Sequence, residues 1–108
     1  MPEYAIIYVT CSDNMEAEKI GKHILEKRLA GCINIIPGMT SFCFWPPKEE
    51  KIEKSDECIL LIKAKFEKYE KIESEVLKVH SYDNPAILAI PLIAISKKYA
   101  DWLDSETK

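Results

Sequence analysis

No two of the four cysteines are close enough to form a CxxC pair: Cys11, Cys32, Cys43 and Cys58 are separated by 21, 11 and 15 positions. Zinc ribbons and thioredoxin-like sites need such pairs, so neither is supported. In a reducing cytosol the default is four free thiols, each more often a small core hydrophobe than a reactive group. Charge of one sign is missing too. Fifteen Lys and Arg are interspersed with eighteen Asp and Glu for a net charge of -3, which argues against nucleic acid or an anionic membrane as a partner. No apolar run approaches the ~20 residues needed to cross a bilayer. The opening MPEYAIIYVTC has no basic region before its uncharged run, so no signal peptide is expected. The sequence also lacks repeats, linkers and low-complexity segments. Together these absences lead us to expect one domain, residues 1–108, in the cytoplasm, folding without metals or disulfides.

What is present is apolar content, 47% of the residues, enough for a core. Glu3 to Thr10 reads as a strand, with Tyr4, Ile6 and Tyr8 on one side and Ala5, Ile7 and Val9 on the other. Asp13 and Glu16 make a capping box for a helix whose apolar stripe is Ala17, Ile20, Ile24, Leu25 and Leu29. Gly31 is expected to supply the left-handed residue that ends it, and His23 reads as an ordinary surface histidine. The uncharged stretch from Gly31 to Trp45 is a second strand, with a bend or bulge at Pro37-Gly38. It is long enough to overhang its domain. Pro46-Pro47 stops it, and Lys48 to Glu57 reads as a solvated hairpin tip.

Cys58 to Ala64 is a third strand carrying Lys63 among apolar neighbours. Phe66, Tyr69, Ile72, Val76 and Val79 mark a second helix. The run His80 to Pro85 is a turn. Ala86 to Ile95 is a fourth strand interrupted by Pro91, and Ser96 caps a short last helix with Tyr99, Trp102 and Leu103 on its apolar edge.

This order is the split βαβ, ferredoxin-like pattern: an α+β fold, βαββαβ plus a short C-terminal helix, with a four-stranded antiparallel sheet and the helices on one face. The other face stays uncovered by the fold. Yet the strands are apolar on both sides, whereas a solvated face would alternate with polar residues. A closed oligomer is the expected remedy, with the overlong second strand pairing between subunits.

The sequence resembles the CutA family, the divalent-cation tolerance proteins, along essentially its whole length. The residues that carry the resemblance are Arg28-Leu29-Ala30, Cys32 to Gly38, Ser41, Trp45, Lys51-Ile52-Glu53, Leu61-Ile62-Lys63, His80-Ser81-Tyr82 with Pro85, and Tyr99 with Trp102-Leu103. The chain departs from the family pattern at Pro46-Pro47 in the hairpin tip, at Ser81, and at Ala86, where an acidic residue commonly follows the proline. The resemblance implies a homotrimer that binds copper or another divalent cation. It implies a role in metal homeostasis or, as the alternative, in small-ligand sensing like that of the PII proteins.

Thiolate and imidazole suit copper, and with the resemblance they make Cys32, Cys43 and His80 the expected metal ligands. Cys32 and Cys43 are roughly 36 Å apart on an extended strand at ~3.3 Å per residue, so a neighbouring chain would have to bring them close. The alternative site is a pocket between subunits lined by Trp45, Lys63 and Tyr82, suited to a small anionic molecule. No catalytic residue is expected. Cys11 precedes a helix N-terminus that would favour its thiolate, but the sequence shows no Cys–His–acid constellation around it.

Overall fold

The computed structural model describes residues 2–108. Strand β1 (Tyr4–Cys11) leads into helix α1 (Asn14–Glu26). Strands β2 (Cys32–Phe44) and β3 (Ile52–Lys65) follow as a hairpin. After a 3-10 turn at Phe66–Lys68 come helix α2 (Tyr69–Val79), strand β4 (Ile87–Pro91) and helix α3 (Lys97–Glu106). The sheet runs β2-β3-β1-β4, and every neighbouring pair is antiparallel. This is the α+β split βαβ arrangement expected from the sequence. No helix among the described residues is long and apolar enough to cross a membrane.

The alternation along β1 and β3 sorts the sheet into two faces. Ala5, Ile7 and Val9 pair with Ala64, Ile62 and Leu60, and all six are fully buried beneath Ala17, Ile20 and Ile24 of α1 and Ile72 and Val76 of α2. Burying each large aliphatic side chain contributes about 1.5–3 kcal/mol, which makes this layer the main source of stability within the chain. The opposite face carries Ile6 and Tyr8 of β1, Ile59 and Leu61 of β3, Ile36 of β2, and Leu88 and Ile90 of β4. No helix of this set covers it, and Ile36, Leu88 and Ile90 remain 46%, 55% and 46% exposed.

The bulge lies where Pro37-Gly38 places it. Ile36 faces Ile59 and the next aligned pair is Met39 with Glu57, so β2 spends one residue more than β3. Gly38 takes φ 73° there, a conformation open to glycine without steric cost. Beyond it the hairpin continues as a two-stranded ribbon, with 39–44 paired to 52–57. Met39, Ser41 and Cys43 fall on the side of the open face and Thr40, Phe42 and Phe44 on the other. The expected boundary of β3 is thus corrected: residues 52–57 are strand, not hairpin tip. Outside the core neither side of a ribbon must be apolar, so Glu53, Lys54 and Asp56 pair through their backbones without any hydrophobic alternation.

Other local readings change for equally physical reasons. The fourth strand stops at Pro91, and the apolar residues to Ile95 lie outside it. Helix α1 is ended not by Gly31 but by Arg28, which adopts φ 58°. The last turn of α3 holds Arg28 there: its guanidinium meets Glu106 at 2.8 Å, and its carbonyl accepts from the Lys108 N–H at 3.0 Å. Gly31 serves packing instead, since a Cβ there would lie 2.6 Å from Leu103. His23 has a partner after all, Glu75 of α2 at 2.8 Å, supplied by tertiary packing rather than by its own helix.

Candidate functional site

Where β1 ends, three elements meet. Asp13 caps α1 by accepting the Glu16 N–H at 2.8 Å. Glu16 turns back one residue further than the usual box, taking the Ser12 N–H at 2.9 Å and the Ser12 hydroxyl at 3.0 Å on Oε1. Its Oε2 accepts the Ser81 N–H from the end of α2 at 2.8 Å. Burial alone would raise this carboxyl, yet these donors bring it down to about 2.

His80, the residue after α2, has a fully buried ring. Its Nε2 lies 2.7 Å from the Thr10 carbonyl and its Nδ1 accepts the Tyr82 N–H at 2.9 Å. A carbonyl can only accept, so Nε2 carries the proton and the imidazole is neutral. Nδ1 lies 3.9 Å from Glu16 Oε2. Tyr82 packs its ring 4.9 Å from His80 and donates its hydroxyl to Glu57 at 2.6 Å.

The Cys11 thiol completes this group: one ligand atom each from Cys11, Glu16 and His80 lies within 4.8 Å of the others. The fold thereby assembles the Cys–His–acid constellation that the sequence does not show. It is no activated nucleophile. Burial pushes the Cys11 thiol up to about 12, with Cys58 and Glu16 adding to the effect, whereas a nucleophilic cysteine needs the opposite shift. As a donor set, thiol, carboxylate and imidazole do suit copper or zinc. Loading such an ion requires the Cys11 proton to leave and Nδ1 to give up the Tyr82 N–H. Glu16, already anionic, needs no such change.

The expected ligands distribute differently. His80 is in this cluster. Cys32 opens β2 opposite Lys63, and Cys43 lies on the ribbon opposite Glu53, so one chain does not unite them. The bulge does place both on the same side of the hairpin. Trp45, Lys63 and Tyr82 are likewise spread out. Lys63 sits 5.6 Å from the Tyr99 ring, Tyr82 is at Glu57, and Trp45 is beyond the end of the ribbon, where its N–H bonds Lys51. Sequence reasoning missed Cys11 and Glu16 as partners of His80. They flank a helix start while His80 ends another helix, and no linear spacing announces the contact.

The chain matches the family model described as CutA1 divalent ion tolerance protein over residues 5–106. It is 43% identical over 98 residues to the divalent-cation tolerance protein CutA of Archaeoglobus fulgidus, covering 91% of this chain and 92% of that one. To the Thermus thermophilus protein of the same name it is 32% identical over 94% of this chain and 96% of that one. It spans 55% of the chloroplastic protein CutA of Arabidopsis thaliana, at 33% identity over 95% of this chain. The structure of the periplasmic divalent cation tolerance protein CutA from A. fulgidus superposes with TM-score 0.91 at 40% identity, covering 97% of this chain and 99% of that one. The two prokaryotic relatives are named for tolerance of divalent cations and not for a reaction. Sequence and fold agree over nearly the whole length, and the chain belongs to the CutA family of divalent-cation tolerance proteins.

Proposed function

We propose that this protein binds copper or another divalent cation, as a homotrimer, and serves the cell's response to metal ions. The observation that carries the metal reading is the convergence of Cys11, Glu16 and His80, a mixed sulfur, oxygen and nitrogen set with the affinity order that places copper above the other divalent ions. Cys11 and His80 would hold the ion and Glu16 would balance its charge. The trimer reading is supported by the apolar open face and by the exposed Phe42, Phe44 and Ile52 on the overhanging ribbon; its stoichiometry comes from the family resemblance. The proposed compartment remains the cytoplasm, on the strength of the four free cysteines.

Calorimetric titration with Cu(II) tests the site. Cys11→Ser and His80→Ala are each expected to weaken binding by about 10–100-fold or more, while Cys32→Ser and Cys43→Ser bind like the parent. The reverse pattern would move the site to the open face, with Cys32 and Cys43 then supplied by different chains. In either case Mg²⁺ and Ca²⁺ should compete poorly against sulfur and nitrogen donors.

A further inference from the structure

Cys58 is absent from the mixed cluster yet stands next to it. It lies directly opposite Cys11 in the β1–β3 register, and both side chains are buried on the helix-covered face. Directly opposed residues of antiparallel strands hold their Cβ atoms about 4.5–5.5 Å apart. Two metal–sulfur bonds of ~2.3 Å span a comparable distance, so one ion can bridge the two thiols without moving the strands.

A route to this pair also exists. A cleft of about 440 Å³ opens between the N-terminus of α1 and the Pro37-Gly38 bulge, and Cys58 forms part of its wall. Asp13, Asp56 and Glu57 line it, together with Met15, whose thioether-bearing side chain is 78% exposed. Carboxylates attract a cation to the mouth, a thioether offers a soft first contact, and Cys58 lies in the wall, with Cys11 opposite it in the sheet, behind the lining.

We propose that Cys11 and Cys58 form a dithiolate site for a soft monovalent metal ion of the Cu(I) class, entered through this acidic cleft. It deepens the copper-binding reading and rests on it. On binding, two S–H bonds give way to two S–metal bonds and both protons pass to solvent. No electron is transferred, because the ion arrives as Cu(I). Two thiolates favour a soft ion, while the Cys11, Glu16 and His80 set suits a borderline divalent one. Cys11 is common to both, so the two sites exclude each other and the protein holds one oxidation state of copper at a time.

The test is anaerobic titration of the reduced full chain with Cu(I) against a Cu(I)-specific chelator, in a Cys32→Ser/Cys43→Ser background that leaves only the two thiols in question. The expected result is one Cu(I) per chain, with a sulfur-to-copper charge-transfer band in the ultraviolet. Cys58→Ser should abolish it and leave Cu(II) binding intact, whereas His80→Ala should weaken Cu(II) binding and leave Cu(I) in place. Cu(I) uptake unchanged in Cys58→Ser, or in Cys58→Ala as the second variant, overturns the proposal. Should neither variant fold, X-ray absorption on the background protein decides: two sulfur neighbours around copper support the site and one refutes it. Loss of Cu(II) binding from all proteins with Cu(I) retained would sink the divalent reading alone.

Discussion

On the covered face of the sheet, Ile7, Val9, Leu60 and Ile62 are wholly out of contact with water, while on the open face Ile36, Leu88 and Ile90 keep about half of their surface exposed. The side chains are of the same kind. What differs is where their partner comes from: α1 and α2 cover the one face, whereas among the described residues neither of these helices reaches Ile36, Leu88 or Ile90 on the other. A contiguous exposed apolar patch marks an interaction surface. The comparison teaches that burial in one chain measures half of what the sequence encodes.

The strongest way to break the comparison is to charge the open face. Leu88→Asp is expected to split the proposed trimer into monomers, because a carboxylate in an apolar interface costs several kcal/mol per copy; light scattering at micromolar protein reads the mass. A parent that is itself a stable monomer would remove the argument altogether. On the covered face, Ile62→Ala should lower stability by about 2–5 kcal/mol with the oligomeric mass unchanged, measured by denaturant unfolding at fixed protein concentration. A mass change with this variant would mean that the two faces are not independent.

The mildest probe is acid. Glu16, at the polar end of the covered layer, has a folded value of about 2 against an ordinary 4.5. A depressed carboxyl contributes stability that is complete above its unfolded value and disappears as pH falls through the folded one. Thermal stability should therefore decline between about pH 4.5 and 2, and Glu16→Gln should flatten part of that decline. Glu75, also held at about 2 by Lys78 and His23, acts in the same window and supplies the remaining slope. An unchanged slope in Glu16→Gln would assign the effect to Glu75 and the other carboxylates.

Much of the fold was legible because its signals are local and periodic: the capping at Asp13, the apolar stripes of α1 and α2, and the turn after His80. The exposed apolar face was legible from strands that are apolar on both sides. The errors fall where tertiary context overrules a local rule. Arg28 takes a left-handed conformation because α3 holds it, so the glycine three residues on was the wrong stop. Residues 52–57 form a strand because β2 reaches out to pair with them, which charge alternation conceals. For the site, the sequence groups His80 with Cys32 and Cys43, whereas the structure places Cys11 and Glu16 beside it. Cys11 and Glu16 reach it only once β1 and the end of α2 lie side by side, at a separation of 70 positions between Thr10 and His80.

The extra residue at Pro37-Gly38 also sets a rule of parity for the chain's length. Each step along a strand reverses the side to which a residue belongs, so the bulge inverts odd and even for everything between it and the tip. Removing the extra residue, Pro37 or Gly38, would turn the bulge into a regular ladder and leave Met39, Ser41 and Cys43 opposite Glu57, Ser55 and Glu53 on the side they now hold. Removing both would leave β2 one residue short, sending Phe42 and Phe44 to the side of Cys32 and turning Cys43 away from it. The arm therefore tolerates the loss of one residue at this point, and the loss of two is equivalent to rewriting both of its surfaces.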